Sequence, residues 1–179
     1  FTGQVESCYH FNVIAGIETF YDIFEAKLMA FLHPDFSDEE IRREVCHIGV
    51  VEDPQTGKLS LDEKGTVYTE MVSSFEHPWY YYGAETNRLV YGPSHPLSYI
   101  SGGDPDEMRH MVPEDMWKFI HNTHHLSNMG MILSLPANVP LDQVLTEMDG
   151  ILSRCQKDED HTDQVGIDAI ALPPAHPAP

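Results

Sequence analysis

The sequence predicts an α+β fold, an antiparallel sheet with helices packed on it. Three observations carry this expectation. Val5 to Ile14 is rich in β-formers, with Tyr9, Phe11 and Val13 alternating against His10 and Asn12. Ile17 to Leu32 instead repeats its apolar residues mostly every three or four positions: Phe20, Ile23, Phe24, Leu28 and Phe31. Turn chemistry, Asp53-Pro-Gln-Thr-Gly57, sits between two short β-like pieces in the stretch His47 to Leu61. Strands and helices therefore mix without the regular βαβ alternation of a parallel sheet.

Each element follows from local chemistry. The strand expected over Val5–Ile14 passes through Gly16 into the helix Ile17–Leu32, which Pro34 ends. Ser37-Asp-Glu-Glu40 is a capping box, and predicts a short helix to about Cys46. A second pattern of the same kind, Ser60-Leu-Asp-Glu63, predicts a helix from Leu61 to about Glu76, stopping before Pro78. Pro78 can open a further helix through Trp79, Tyr82 and Leu89 to Gly92-Pro93. His95 to Asp106 reads as an ordered loop. Pro113, followed by Glu114 and Asp115, opens a helix to about His124. Met129–Leu135 reads as a strand and Leu141–Arg154 as an amphipathic helix. Gln156–Asp163 reads as a charged loop and Val165–Leu172 as a last strand.

Composition narrows the partners. The 179 residues suffice for one domain's core. Ten Lys and Arg stand against 29 Asp and Glu, a formal charge of −19. Such a field repels phosphate backbones and anionic lipid, which argues against nucleic acid and membrane and favours basic peptides; simple solubility is the other reading. Cys8, Cys46 and Cys155 are odd in number and widely spaced, so a disulfide framework or zinc ribbon is not expected, and they read as buried small hydrophobes. No apolar run reaches the roughly 18 residues of a membrane span. A cytoplasmic or organellar setting fits this cysteine usage better than a disulfide-rich secreted one.

On the predicted Leu61–Glu76 helix, Glu63 and Glu70 are seven residues apart, so both carboxylates would share one face. They would be roughly 10 Å apart along the axis, too far to bind one zinc ion together. If one is a ligand, the other sits in an outer shell or near substrate. The pair also fits a solvated face, and Glu63 has a capping role open to it.

Several segments together resemble a known family. They are Leu32-His-Pro-Asp-Phe-Ser-Asp-Glu-Glu-Ile-Arg-Arg-Glu44, Glu52-Asp-Pro54 and Gly65-Thr-Val-Tyr-Thr-Glu-Met71. Ser101-Gly-Gly-Asp-Pro105 and Phe119-Ile-His-Asn-Thr-His-His-Leu-Ser-Asn128 follow in order. In order and spacing they resemble the insulinase-like (pitrilysin) superfamily of zinc metallopeptidases, in its presequence-protease-like branch. The resemblance implies an insulinase/processing-peptidase-like sandwich and zinc-dependent hydrolysis of peptides. It implies that Glu70 matches the third zinc ligand and Glu63 an assisting, outer-shell carboxylate. In that family two histidines of an H-x-x-E-H helix hold the same zinc, and two imidazoles with one carboxylate leave a position where the metal can activate water. No H-x-x-E-H occurs in this sequence. The resemblance puts it upstream of Phe1, with Phe1-Thr2 as the tail of an edge strand that binds peptide by strand addition. The expected organisation is a single partial peptidase domain over 1–179: a core unit to about 163, then a last strand and Pro-rich exit over 164–179 toward the remaining domains of the same chain. Alone, it is expected to be inactive. Two other readings fit the same residues: a non-catalytic relative of the same fold, and an acidic interaction module without metal.

The other candidates are weaker. His121 and His125 would share a helix face, with His124 beside them, yet the glutamate of H-E-x-x-H is replaced by Asn122. His77 follows Glu70 by seven residues, but Pro78 comes next. Trp79-Tyr-Tyr-Tyr82 could line a peptide cleft, though a packed core is the plainer reading. Gly102-Gly103 could cradle an anion or simply turn the chain.

Overall fold

The computed structural model describes residues 1–156. In chain order the elements are α1 (Ile17–Leu32), α2 (Asp38–Val45), β1 (His47–Glu52), β2 (Leu59–Lys64), α3 (Thr66–Phe75), α4 (Pro78–Tyr91), α5 (Pro105–Met108), α6 (Pro113–Thr123) and α7 (Leu141–Cys155). Single 3₁₀ turns lie at Pro96–Ser98 and Leu126–Asn128. Among the described residues the architecture is mixed, helices with one two-stranded antiparallel sheet. The expected last strand over Val165–Leu172 and most of the loop before it lie outside the described residues.

The described chain divides into two compact units. The first combines Phe1–Tyr9 with Phe36–Met116. Its start is set by Ser37, whose side chain accepts from Glu40 N while the Glu40 carboxylate accepts from Ser37 N at 2.7 Å. This reciprocal cap satisfies two backbone donors that a helix start leaves open. The α2 helix buries Ile41 and Val45. β1 and β2 then pair with Val50 opposite Leu61 and Glu52 opposite Leu59. Asp53 closes the turn between them, its Oδ1 accepting from Gln55 N at 2.7 Å and Thr56 N at 3.1 Å. Ile48, Val50, Leu59 and Leu61 are all exposed, and the register puts them on one face of the hairpin.

The second unit contains His10–Asp35 and residues 117–156. α1 and α7 supply its core: Tyr21, Phe24 and Leu28 pack with Val144, Met148, Ile151 and Cys155. Arg154 grips Glu25 with two bonds, at 2.8 and 2.7 Å, tying the helices at the surface. The His33 ring bonds the Cys155 carbonyl at 2.9 Å.

Five expectations are corrected. Val5–Ile14 pairs with no strand among the described residues: Thr2 pairs with Ser7 in an isolated bridge, so the start of the chain turns back on itself. The expected edge at Phe1-Thr2 is spent in that turn, with Cys8 N donating to Phe1 O at 2.8 Å. Phe11 stacks on Phe20 with ring centres 5.8 Å apart. Met129–Leu135 pairs with no strand among the described residues; Leu133 and Leu135 pack on the second unit's core while Met131 and Ile132 face solvent. The helix expected from Leu61 begins only at Thr66, because Ser60 to Glu63 are paired to β1 and a ladder of backbone bonds outweighs a local capping pattern. Cys8 is exposed and Cys46 half-buried, so only Cys155 is a buried small hydrophobe; all three are free thiols.

Candidate functional site

Glu63 and Glu70 do not share a helix. Glu63 is the penultimate residue of β2, and Glu70 lies in the second turn of α3. Gly65 joins the two elements with φ +141°, and a Cβ there would stand 2.4 Å from the Val45 carbonyl oxygen. Only glycine permits both the conformation and the approach of α2.

Glu63 is held by three groups. Arg109 donates to both its oxygens, Nε to Oε1 at 2.6 Å and Nη2 to Oε2 at 3.0 Å. The Tyr68 hydroxyl donates to Oε2 in a short bond and accepts from Arg109 Nη2 at 2.6 Å. Tyr68 is buried, and its ring lies 5.3 Å from the Arg109 guanidinium. Arg109 also donates to Asp106. Tyr68 belongs to the first turn of α3 and Arg109 follows α5, so one carboxylate ties together β2, α3 and the segment after α5.

The electrostatics follow from these bonds. The Arg109 guanidinium, then the Tyr68 hydroxyl, hold the Glu63 carboxyl at about 2. The same bonds raise Arg109, and the bond to Glu63 raises Tyr68. Glu63 is therefore a fixed anion above the acid range, unsuited to carrying a proton near neutrality. Burial raises the Cys46 thiol and the Glu63 charge adds to that, which keeps it from being a ready nucleophile.

Glu70 is exposed and has no hydrogen bond or ion pair among the described residues. Its charge reaches Tyr80, whose pKa is raised first by burial and then by Glu70. The two glutamates thus differ in kind: Glu63 accepts three side-chain hydrogen bonds, and Glu70 none among the described residues.

The remaining candidates resolve as structure. α6 ends at Thr123, so His125 lies beyond the helix and shares no face with His121. His124 stacks on Phe31 with centres 4.3 Å apart, and burial, then the neighbouring His125, lowers its pKa. His125 is buried, bonded to Ser127 Oγ at 2.8 Å and the Asn122 carbonyl at 3.2 Å. His77 is the N-cap of α4. Gly102 and Gly103 have φ of +91° and +96° and pack against Met71 and Met108, which is a turn. The aromatic run is not a core: Trp79 is 83% and Tyr82 63% exposed. Among the described residues no three His, Cys, Asp or Glu side chains gather to hold a metal ion. No helix among them is long and apolar enough to cross a membrane.

Sequence reasoning missed Arg109 and Tyr68. A signal existed: with so few basic residues among so many acidic ones, an arginine is drawn into ion pairing. Nothing local says with which carboxylate, since 46 residues separate Arg109 from Glu63.

No family model matches the chain. Curated proteins do. An uncharacterized protein of Saccharomyces cerevisiae is 30% identical over 135 residues, 75% of this chain and 12% of that protein. The mitochondrial presequence protease of Emericella nidulans is 26% identical over 165 residues, 88% of this chain and 15% of the protease. That of Eremothecium gossypii is 30% identical over 117 residues, 65% of this chain and 11% of the protease. The chain thus spans 11–15% of the length of these relatives. A match over 88% of the chain necessarily takes in the stretch from Glu63 to Glu70.

Proposed function

We propose that this chain is one part of a zinc-dependent metalloendopeptidase of the insulinase-like superfamily, acting on peptides, in which Glu70 is a zinc ligand. The observation that carries the reading is Glu70 itself. It is an exposed carboxylate without a partner among the described residues, within a stretch similar to presequence proteases. The described residues do not fit zinc by themselves, because among them no three His, Cys, Asp or Glu side chains gather to hold a metal ion. One carboxylate cannot retain zinc, which takes four ligands in tetrahedral sites. In this reading the histidines and the general base come from outside this chain, and the chain alone is inactive.

Glu63 is in the same reading the assisting, outer-shell carboxylate, and what supports it is that Arg109 and Tyr68 fix its orientation with three hydrogen bonds just before the helix that carries Glu70.

The test is metal content and turnover of the full-length protein with Glu70→Gln. The expected result is loss of about one zinc per chain and of peptide hydrolysis, with the melting temperature little changed. Unchanged zinc and turnover in that variant overturn the ligand role. A zinc-free wild-type protein with no peptidase activity favours the non-catalytic relative. Zinc-dependent turnover by residues 1–179 alone overturns the claim that the rest of the site lies elsewhere.

A further inference from the structure

The first unit leaves one side of its hairpin bare. The register sets Ile48 opposite Glu63, Val50 opposite Leu61 and Glu52 opposite Leu59, so all six side chains stand on that side. The four aliphatic ones are 60–74% exposed. None of them joins the unit's buried residues, which among those described include Ile41, Val45, Tyr68, Met71 and Met108. The opposite side is the polar one. It carries Ser60 and Asp62, both exposed, and the Lys64 stem, which lies over Gly49 and ends with Nζ donating to the Val50 carbonyl at 3.3 Å. An antiparallel sheet with one apolar side packs that side on its core. Here it is turned away from the core. The hairpin is nevertheless anchored at its base, where Arg109 and Tyr68 grip Glu63 and Gly65 comes against Val45. The apolar side is therefore presented in a set position.

Size decides between occupants. The four side chains offer roughly 400 Å² of apolar surface, within the range of patches that mark interaction sites. A stable complex between separate proteins buries about 800 Å² on each partner, about twice that area. A second copy or a free partner would find too little here to repay its lost freedom of movement. An element of the same polypeptide needs less, because its tether already holds it nearby. In the relatives, the matching stretch is 11–15% of the chain, so most of a polypeptide of that length is available to supply such an element. Its contacting side is apolar, since polar groups set over four aliphatic side chains would lose water and gain no hydrogen bond.

We propose that Ile48, Val50, Leu59 and Leu61 form an internal docking face, covered in the full-length protein by an apolar element of the same polypeptide from outside these 179 residues. The proposal rests on the part of the reading above that makes this chain one piece of a longer protein. It uses neither zinc nor Glu70.

The experiment places Leu61→Cys and, separately, Val50→Cys in the full-length protein, with Gln55→Cys in the exposed turn as control. Each variant is labelled with iodoacetamide in the native state and again in urea. Mass spectrometry of the labelled peptide sets the introduced thiol apart from the native ones. In the native state the two docking-face thiols are expected to react about tenfold more slowly than the control, as groups reached only through local opening do, and equally fast in urea. Their protection is expected to survive dilution, because the partner is tethered. A photocross-link from p-benzoylphenylalanine in place of Leu59 is expected to land on a peptide of the same molecule outside residues 1–179. Labelling of both thiols at the control rate overturns the face. So does protection lost on dilution, which identifies a second copy, or a cross-link that stays within residues 1–179. Zinc content and turnover are measured on the unsubstituted protein alongside. Zinc and hydrolysis with both thiols freely labelled keep the peptidase reading and remove the docking face. Protected thiols in a protein without zinc or hydrolysis keep the face and remove the peptidase reading. A full-length protein no longer than these 179 residues removes both.

Discussion

The two units are held by different physics. In the second, α1 and α7 meet through a continuous apolar seam in which Val144, Ile151 and Cys155 are almost wholly removed from water. In the first, the junction of hairpin, α3 and α5 is organised around a carboxylate, a guanidinium and a phenol, with Glu63 and Arg109 each about one-third exposed. An apolar seam draws its strength from area removed from water and from close packing. A partly exposed ion pair draws little strength, and its value lies in geometry, because a forked guanidinium accepts a carboxylate in few orientations. One unit rests on that seam, while in the other, which also buries Ile41, Val45, Met71 and Met108, a polar knot fixes direction.

Three substitutions test that contrast. Ile151→Ala should have the largest effect, costing about 2–5 kcal/mol by lost transfer energy and the cavity left behind, read from urea denaturation. A value below 1 kcal/mol would mean the seam is looser than described. Ser37→Ala comes next, costing about 1 kcal/mol through the lost cap at the start of α2. Glu63→Gln should have the smallest effect at neutral pH, but its pH dependence is diagnostic. Because the native Glu63 carboxyl sits at about 2, below its ordinary value of 4.5, its contribution is fully present above 4.5. It fades as pH falls through about 2. The stability gap between wild type and Glu63→Gln should therefore be constant from pH 5 to 7 and close between about 4.5 and 2. A gap that does not narrow there would break the assignment of Glu63 as a clamped anion.

Much of this was legible in the residues, and the limit has a physical origin. The periodic run Ile17–Leu32 is α1 to the residue, and Leu141–Arg154 is α7 within one residue. Ser37 with Glu40, Pro78 and Pro113 each mark a helix start, because capping and proline chemistry act within one turn. The turn at Asp53–Gly57 marks the hairpin for the same reason. What failed depended on partners distant in the chain. A strand is stable only when another strand lies beside it, and Val5–Ile14 and Met129–Leu135 have β-forming residues without that neighbour among the described residues. Ser60-Leu-Asp-Glu63 satisfies the capping pattern yet is claimed by β1, and this moved Glu63 off the helix of Glu70. The candidate site suffered most, since Arg109 reaches Glu63 across 46 residues. Glu70 is proposed through resemblance, which does not depend on knowing the helix start.

The exposed face of the hairpin has a consequence for the molecule in solution. Ile48, Val50, Leu59 and Leu61 form an apolar strip on a sheet that has two strands among the described residues, a template for sticking to another copy. At low ionic strength the charge of −19 on each molecule keeps copies apart. At about 0.15 M salt the repulsion reaches only about 8 Å, and at 1 M about 3 Å. The strip's attraction, being apolar, is not screened. Wherever that face stays bare, colloidal stability rests on the excess of carboxylates, and both salt and acid erode it.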